Sequence, residues 1–154
     1  MINSTEKQFE QHAHGGMDSK RIYWQDLNKR KFLVTHTIVD TDAATAAKYG
    51  VIFTAPYPCI LLSMRETHKT AGSDGGTVTV DIEKLTSGQA LDAGVSMLNS
   101  ALSLKSTANT PQSATLTATL ANRNLATDDR IALKDAGTLT AVNHVNIILE
   151  LQIT

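Results

Sequence analysis

Hydrophobic and polar residues alternate along much of the second half of the chain. In the segment 78–83, Val or Ile occupies every even position, and Thr, Asp or Glu occupies every odd one. The segment 145–153 repeats the pattern, with Val, Ile or Leu at every odd position and mostly polar residues between them. Because successive side chains of a β-strand point to opposite faces, this period of two predicts strands with one buried face.

Comparable runs, bounded by turns rich in Gly, Pro, Asn and Asp, predict further strands. The predicted strands are 32–39, 49–54, 59–68, 77–85, 101–105, 114–120, 130–133 and 143–153. About eight short strands separated by polar turns in one domain are typical of an all-β protein, an antiparallel β-sandwich of jelly-roll type.

Three segments between the predicted strands have sequence features that predict their local structure. Pro56 and Pro58 cannot donate to a strand ladder, so they predict a corner between the second and third strands. The sequence AGSDGG at 71–76 predicts the turn of a hairpin that pairs the third strand with the fourth. Apolar residues at helical spacing in 87–100 predict a short helix, interrupted by Gly94.

Residues 1–31 differ from the rest of the chain, because they are polar and charged and show no sustained period. They are predicted to form an extended N-terminal arm ahead of a sandwich domain at 32–154. An apolar patch followed by a basic cluster lies near the end of this arm, and its residues are the predicted partner-binding segment: Ile22, Tyr23, Trp24, Leu27, Lys29, Arg30 and Lys31. Trp and Tyr are favoured as interface anchors. The patch can serve as such an anchor or pack back on its own domain.

Composition restricts the possible functions. A chain of 154 residues fits one domain with its own core, and 42% hydrophobic but only 5% aromatic residues predict that this core is aliphatic. The net charge of −1 gives no basic field for nucleic acid. The N-terminus lacks the apolar stretch of a signal peptide, and no segment approaches the roughly 18 apolar residues of a membrane helix. We therefore expect a soluble protein that is not exported by a cleaved signal peptide.

No residue pattern predicts catalysis, a cofactor or a metal site. His12 and His14 form at most a weak chelate without a carboxylate or thiolate partner. Residues 128–130 (DDR) are typical of an Asp-containing turn paired with the adjacent Arg, and 73–76 (SDGG) lacks the lysine of a phosphate loop. Cys59 lies in an apolar run, which favours a buried, unreactive thiol. Three histidines are expected to be strand residues rather than bases: His36, His68 and His144.

Four segments resemble small virion structural proteins of tailed bacteriophages. They are KYGVIFTAPYPC at 48–59, GSDGGTVTVDIEKL at 72–85, LKSTANT at 104–110 and DRIALKDAGTLT at 129–140. The resemblance covers 48–153 and consists of strand and turn patterns without catalytic content. It implies a β-sandwich that sits on a capsid as a cement or decoration subunit, often as a trimer, or that belongs to a head fibre or tail.

Two functions from different classes follow as expectations. The first is a non-enzymatic capsid cement or decoration protein, located in a virion assembled in the host cytoplasm. It would form a homotrimer, bind the major capsid protein or other virion proteins and bridge capsomers through its arm and sandwich edges. The second is a receptor- or glycan-binding module of a phage fibre or tail. Such a module needs exposed aromatic residues at its loop tips, and few aromatic residues are present.

Overall fold

The computed structural model of the protein describes residues 30–40, 50–139 and 141–154. These residues form ten strands and one short helix. In chain order they are β1 (Lys31–Asp40), β2 (Val51–Thr54), β3 (Cys59–Thr70), β4 (Val78–Leu85), β5 (Val95–Ser96), β6 (Leu102–Ser103), β7 (Gln112–Ser113), α1 (Leu120–Arg123), β8 (Asn124–Leu125), β9 (Arg130–Gly137) and β10 (Asn143–Ile153).

The strands form two antiparallel sheets. The first has the order β1-β10-β3-β7, with β8 also pairing with β3, and the second has the order β2-β9-β4-β5, with β6 also pairing with β4. The first four strands thus pair in reverse order with later ones: β1 with β10, β2 with β9, β3 with β7 and β8, and β4 with β5 and β6. This winding is that of a jelly roll, so the predicted all-β, jelly-roll-like sandwich is confirmed.

The core lies between the two sheets and is aliphatic, as the composition predicts. From β4 and β10 it takes the alternating side chains whose pattern predicted these strands: Val78, Val80, Ile82, Val145, Ile147, Leu149 and Leu151. Each of them has at most 1% of its surface exposed. Burial of one such side chain contributes about 1.5–3 kcal/mol, so the two strands alone supply a large part of the hydrophobic driving force.

The strands predicted at 32–39, 49–54, 59–68, 77–85 and 143–153 agree with the observed ones within two residues. β10 spans the predicted 143–153. The strand predicted at 130–133 is too short, because β9 continues to Gly137. The predicted short strands do not match. The strand predicted at 101–105 is reduced to the two residues of β6, and the one predicted at 114–120 is wrong, because β7 ends at Ser113 and α1 begins at Leu120. Between these elements only an isolated bridge joins Leu98 and Leu116.

The predicted hairpin between the third and fourth strands is also wrong. β3 lies in the first sheet and β4 in the second, so residues 71–77 cross from one sheet to the other. Gly72 is buried in this crossing, where its N–H donates to the carbonyl oxygen of Leu104 at 2.8 Å. The Lys105 ammonium holds the outer part of the crossing by donating to the carbonyl oxygens of Asp74 at 2.6 Å and Gly76 at 3.2 Å.

No helix forms among residues 87–100, contrary to the prediction. The buried carboxylate of Glu83 accepts hydrogen bonds from the backbone N–H groups of Asp92 at 2.7 Å and Gly94 at 3.0 Å. These amides therefore have partners outside a helix, and the chain continues into β5, which pairs with β4. A buried carboxylate needs such donors, and this requirement overrides the helical spacing of the apolar residues.

Gly137 occupies a position that no other residue fits. Its φ is +92°, and a Cβ atom there would lie 1.4 Å from the Thr77 carbonyl oxygen. We expect Gly137→Ala to lower the free energy of unfolding by at least about 2 kcal/mol. The matched control is Gly50→Ala, because a Cβ at Gly50 meets nothing within 4 Å. Urea denaturation checks the difference, and equal stability of the two variants would contradict the observed end of β9.

Candidate partner-binding edge of the sandwich

The predicted partner-binding segment reaches the described residues only at its last two positions. Residues 22–29 lie outside them, whereas Lys31 is the first residue of β1. The Arg30 carbonyl oxygen accepts a hydrogen bond from the N–H of Ile153 at 3.1 Å, and the Lys31 ammonium lies 3.0 Å from a Glu150 carboxylate oxygen. The last two residues of the predicted segment, Arg30 and Lys31, therefore belong to the ladder between β1 and β10.

β1 is an edge strand, since β10 is its only partner among the described strands. Arg30 and Ile153 form a hydrogen-bonded pair, and such pairs alternate along an antiparallel ladder. The even-numbered residues of 30–40 therefore bond to β10. The odd-numbered residues of 31–39 direct their N–H and C=O groups toward the free edge.

The two faces of β1 differ in chemistry. On the outer face Leu33 is 65% exposed and Val39 is 54% exposed. On the inner face Phe32 packs against Phe53 of β2, with ring centroids 5.8 Å apart, and edge-on against Tyr57 at 6.2 Å. The inner apolar residues of β1 are only half-buried, so the core is incompletely covered beside this strand.

β2 is an edge strand of the second sheet and pairs with β9. The contact between Phe32 and Phe53 places it close to β1. We call the side of the sandwich formed by β1 and β2 the open side. It offers backbone groups of β1 and β2 that pair with no other described strand, exposed aliphatic side chains that include Val51, and the half-exposed ring of Tyr57. Such a surface suits an extended peptide segment that adds a strand to the sheet.

Glu66 and His68 form a second notable group, fully buried on the inner face of β3. The His68 Nδ1 atom lies 2.9 Å from a Glu66 carboxylate oxygen, and its Nε2 atom lies 3.1 Å from the carbonyl oxygen of Ser106. Because a carbonyl oxygen only accepts, Nε2 carries a proton. The Gln112 amide donates to the second Glu66 oxygen at 3.2 Å and to the Ser106 hydroxyl. The group joins β3, β7 and the segment that precedes β7.

Burial raises the pKa of Glu66, although the hydrogen bond and charge of His68 act to lower it. The folded protein therefore holds this proton more tightly than the unfolded chain does. We expect the corresponding stability to be lost as the pH rises past the ordinary glutamate value of about 4.3.

Urea denaturation between about pH 4 and pH 8 checks this expectation, with Glu66→Gln as the matched control that removes the titration. The free energy of unfolding of the parent protein should fall relative to that of the variant as the pH rises. Parallel pH profiles of the two proteins would contradict the expectation.

Three further candidate residues, Cys59, His36 and His144, lie in strands. Cys59 is buried as predicted, and burial together with the nearby Asp129 charge raises the pKa of its thiol to about 11. His36 is half-buried in β1, and burial lowers its pKa. His144 is exposed, and its φ of +55° places it in the left-handed region.

The described residues include no group of three His, Cys, Asp or Glu side chains that could hold a metal ion. They also form no helix of the length and apolarity needed to cross a membrane.

The partner predicted for the aspartates at 128–129 is wrong. The Asp129 carboxylate does form a turn, by accepting the N–H of Ala126 at 2.9 Å, but its cationic partner is Lys84 at 3.3 Å. Arg130 instead donates to the carbonyl oxygens of Thr86 at 3.1 Å and Gln89 at 2.5 Å. Asp129 lies in the turn before β9 and Arg130 is the first residue of that strand, and the two side chains have different partners.

The segment 73–76 borders a shallow, open hollow of about 310 Å³ lined by Ser73, Asp74, Thr138 and Ala141. A hydrogen bond from Thr138 is the main cause that lowers the pKa of Asp74. The carboxylate in this hollow disfavours a bound phosphate.

Two features of the structure escaped the sequence analysis. The only sequence signal for the Glu66–His68 pair is its spacing of two within a predicted strand. The free edge of β1 has no sequence signal, because alternating hydrophobicity predicts a strand but not which strands lie beside it. Edge strands are often shortened or carry proline or charge. β1 instead has ten residues, no proline, and no charged residue between Lys31 and Asp40.

The comparisons with known proteins agree with the fold. No protein-family model matches the chain, and no curated protein matches it in sequence. A chain of the cyanophage Pam1 capsid asymmetric unit superimposes with a TM-score of 0.56 at 13% identity, covering 92% of this chain and 96% of that chain. A chain of the capsid of Ralstonia phage GP4 gives a TM-score of 0.54 at 12% identity, covering 82% of this chain and 85% of that chain. At these identities the similarity demonstrates a shared fold.

Proposed function

We propose that the protein is a structural protein of a bacteriophage virion, and that within the virion it acts as a capsid cement or decoration protein. The observation that carries this proposal is the fold shared with a chain of the Pam1 capsid asymmetric unit over nearly the full length of both chains. The second capsid structure and the resemblance to small virion proteins of tailed phages support it. The proposed partner is the major capsid protein, and the proposed location is the virion, after assembly in the host cytoplasm.

The contacts of the buried polar groups and the exposed open side also support a binding role without catalysis. The buried polar groups that we describe have structural partners: Glu83 binds two loop amides, Lys84 binds Asp129, and Glu66 binds His68. The open side exposes strand backbone and aliphatic side chains. A cement protein must join subunits, and the open side and the proposed N-terminal arm are elements through which a jelly roll can bind further copies of itself or shell proteins.

The bridging of capsomers is proposed to use a homotrimer whose arms carry the partner-binding segment. Three linked copies strengthen a weak individual contact through avidity, because each further contact forms intramolecularly. Glycan binding is less well supported, since Tyr57 is the only exposed aromatic side chain among the described residues and packs against Phe32.

The proposal is tested by adding the purified protein to phage shells that lack it. We expect saturable decoration, seen by cryo-electron microscopy, and a higher temperature of shell disruption. A chain that lacks residues 1–29 should remain folded and bind the shells much more weakly. Absence of shell binding by the full chain, together with saturable binding to glycans or host cells, would replace the proposal with the receptor-binding alternative.

A further inference from the structure

We propose that the free edge of β1 in one copy is paired with the arm segment 21–27 of a neighbouring copy, which adds one strand to the first sheet. The inference deepens the proposed function, since it rests on the proposed homotrimer and specifies what the arm binds. Each copy gives its arm to the next, and three such contacts close a ring.

The free edge of β1 has the composition of a strand that pairs on both sides. The odd-numbered residues of 31–39 direct their backbone groups away from β10, toward a side where no described residue pairs with them. The central outer residues, Leu33, Thr35, Thr37 and Val39, are mostly β-branched or aliphatic types that favour strands. A long edge of this composition, without proline or bulge, readily pairs with another chain.

The proposed arm is long enough to reach the free edge of a neighbouring copy. The sequence has 29 residues before Arg30. At about 3.3 Å per extended residue they span up to about 95 Å, whereas the ten residues of β1 need about 33 Å. Lys31, where β1 begins, lies at the open side, so an extended segment before it is long enough to reach the same edge of an adjacent copy.

The side chains of segment 21–27 suit both faces of the β1 edge. Ile22, Tyr23 and Trp24 are residue types that favour strands. In an added strand Ile22 and Trp24 share one face and Tyr23 points to the other. One face of the added strand can then cover the exposed Leu33, while the other can extend the aromatic contacts of Phe32.

The short distance in sequence between the segment and β1 favours binding of the segment to a neighbouring copy over binding to its own copy. Arg30 is already held in the ladder with β10, so a strand that includes the whole patch up to Leu27 leaves only Asn28 and Lys29 for a reversal. Two-residue hairpin turns favour Asn-Gly or Asp-Gly, because positive φ angles are required, and Lys29 is poorly suited to one. Direct pairing of β1 with β1 of a second copy is two-fold and closes at two copies rather than three.

Amide hydrogen exchange of the full chain tests the inference at single residues. We expect the amides of Leu33, Thr35 and Thr37, which face the free edge, to be protected in a trimer. In Trp24→Ala both the trimer and this protection should be lost, with the exchange of these amides faster by about a hundredfold or more. The amides of Val34 and His36, which bond to β10, are the internal control and should stay protected in both proteins.

A proline substitution on the receiving strand provides an independent test. Thr35→Pro removes an N–H that faces the free edge and leaves the bonds to β10 in place, as proline is tolerated at such positions. We expect this variant to be folded and monomeric by circular dichroism and light scattering. Thr35→Val retains the N–H and the side-chain shape, and should remain trimeric.

Three results would overturn the inference: rapid exchange of the edge amides in the trimer, protection of these amides in a monomer, or a trimer that survives both Trp24→Ala and Thr35→Pro. The first shows an unpaired edge, the second an arm folded onto its own copy, and the third a trimer held by another surface. None of these measurements involves shells. Failure of the proposed function therefore appears separately, as a trimer that exchanges its arms but does not decorate.

Discussion

Replacing Val80 with Asp is expected to prevent folding, whereas replacing Thr79 with Asp is expected to leave the chain folded. Val80 is 0% exposed and lies between the sheets, so the new carboxylate would be buried without a partner. That burial costs several kcal/mol, which is comparable to a total stability of about 5–15 kcal/mol. Thr79 lies on the opposite face of β4 and is half-buried.

Far-ultraviolet circular dichroism and thermal denaturation of the two variants check this prediction. Thr79→Asp should lower stability by no more than about 1 kcal/mol, the range of strand preferences at partly exposed sites. If the two variants melted at the same temperature, the assignment of the inner and outer faces of β4 would be wrong.

Breaking the buried Glu66–His68 pair is expected to have the second largest effect. Glu66→Leu or His68→Leu leaves one polar group of the pair without its partner in a fully buried position. A buried polar group that loses its hydrogen-bond partner costs about 1–3 kcal/mol, and more where the group is charged. The double variant removes both groups and replaces them with side chains of similar size. Its loss of stability should therefore be clearly smaller than the sum of the two single losses.

Urea denaturation of the four proteins completes the double-mutant cycle. Glu66→Gln serves as a conservative control, because its amide can still accept the hydrogen bond from Gln112. Additive losses in the double variant would mean that Glu66 and His68 act independently, despite the 2.9 Å that separates their atoms.

The paired strands of the first sheet keep the β1 edge of the open side ordered. The backbone ladder joins β3 to β10 and β10 to β1, while the Glu66–His68 group ties β3 to β7 and to the segment that precedes β7. β1 can therefore present an ordered edge of ten residues to a partner strand. A partner strand finds a template that is already ordered, which reduces the entropic cost of binding.

The sequence by itself determined the elements whose residues alternate without interruption. β10 was predicted with its observed bounds and β4 within one residue, because each has an aliphatic face and a polar face over its length. The corner at Pro56 and Pro58 and the burial of Cys59 were predicted from local chemistry as well. A period of two and the missing N–H of proline act within a few residues, so no knowledge of distant partners is required.

Only the tertiary structure decided which strands share a sheet and which face of an irregular strand is buried. In β3, Leu61 and Met64 are both buried although their positions differ in parity, because the pairing with β10 shifts register between Glu150 and Leu151. This shift turns Glu66 and His68 inward. The placement of β3 and β4 in different sheets, the loop held by Glu83 and the free edge of β1 depend on contacts between residues far apart in the chain. Local periodicity carries no information about such contacts, since the same alternation suits either sheet and either edge.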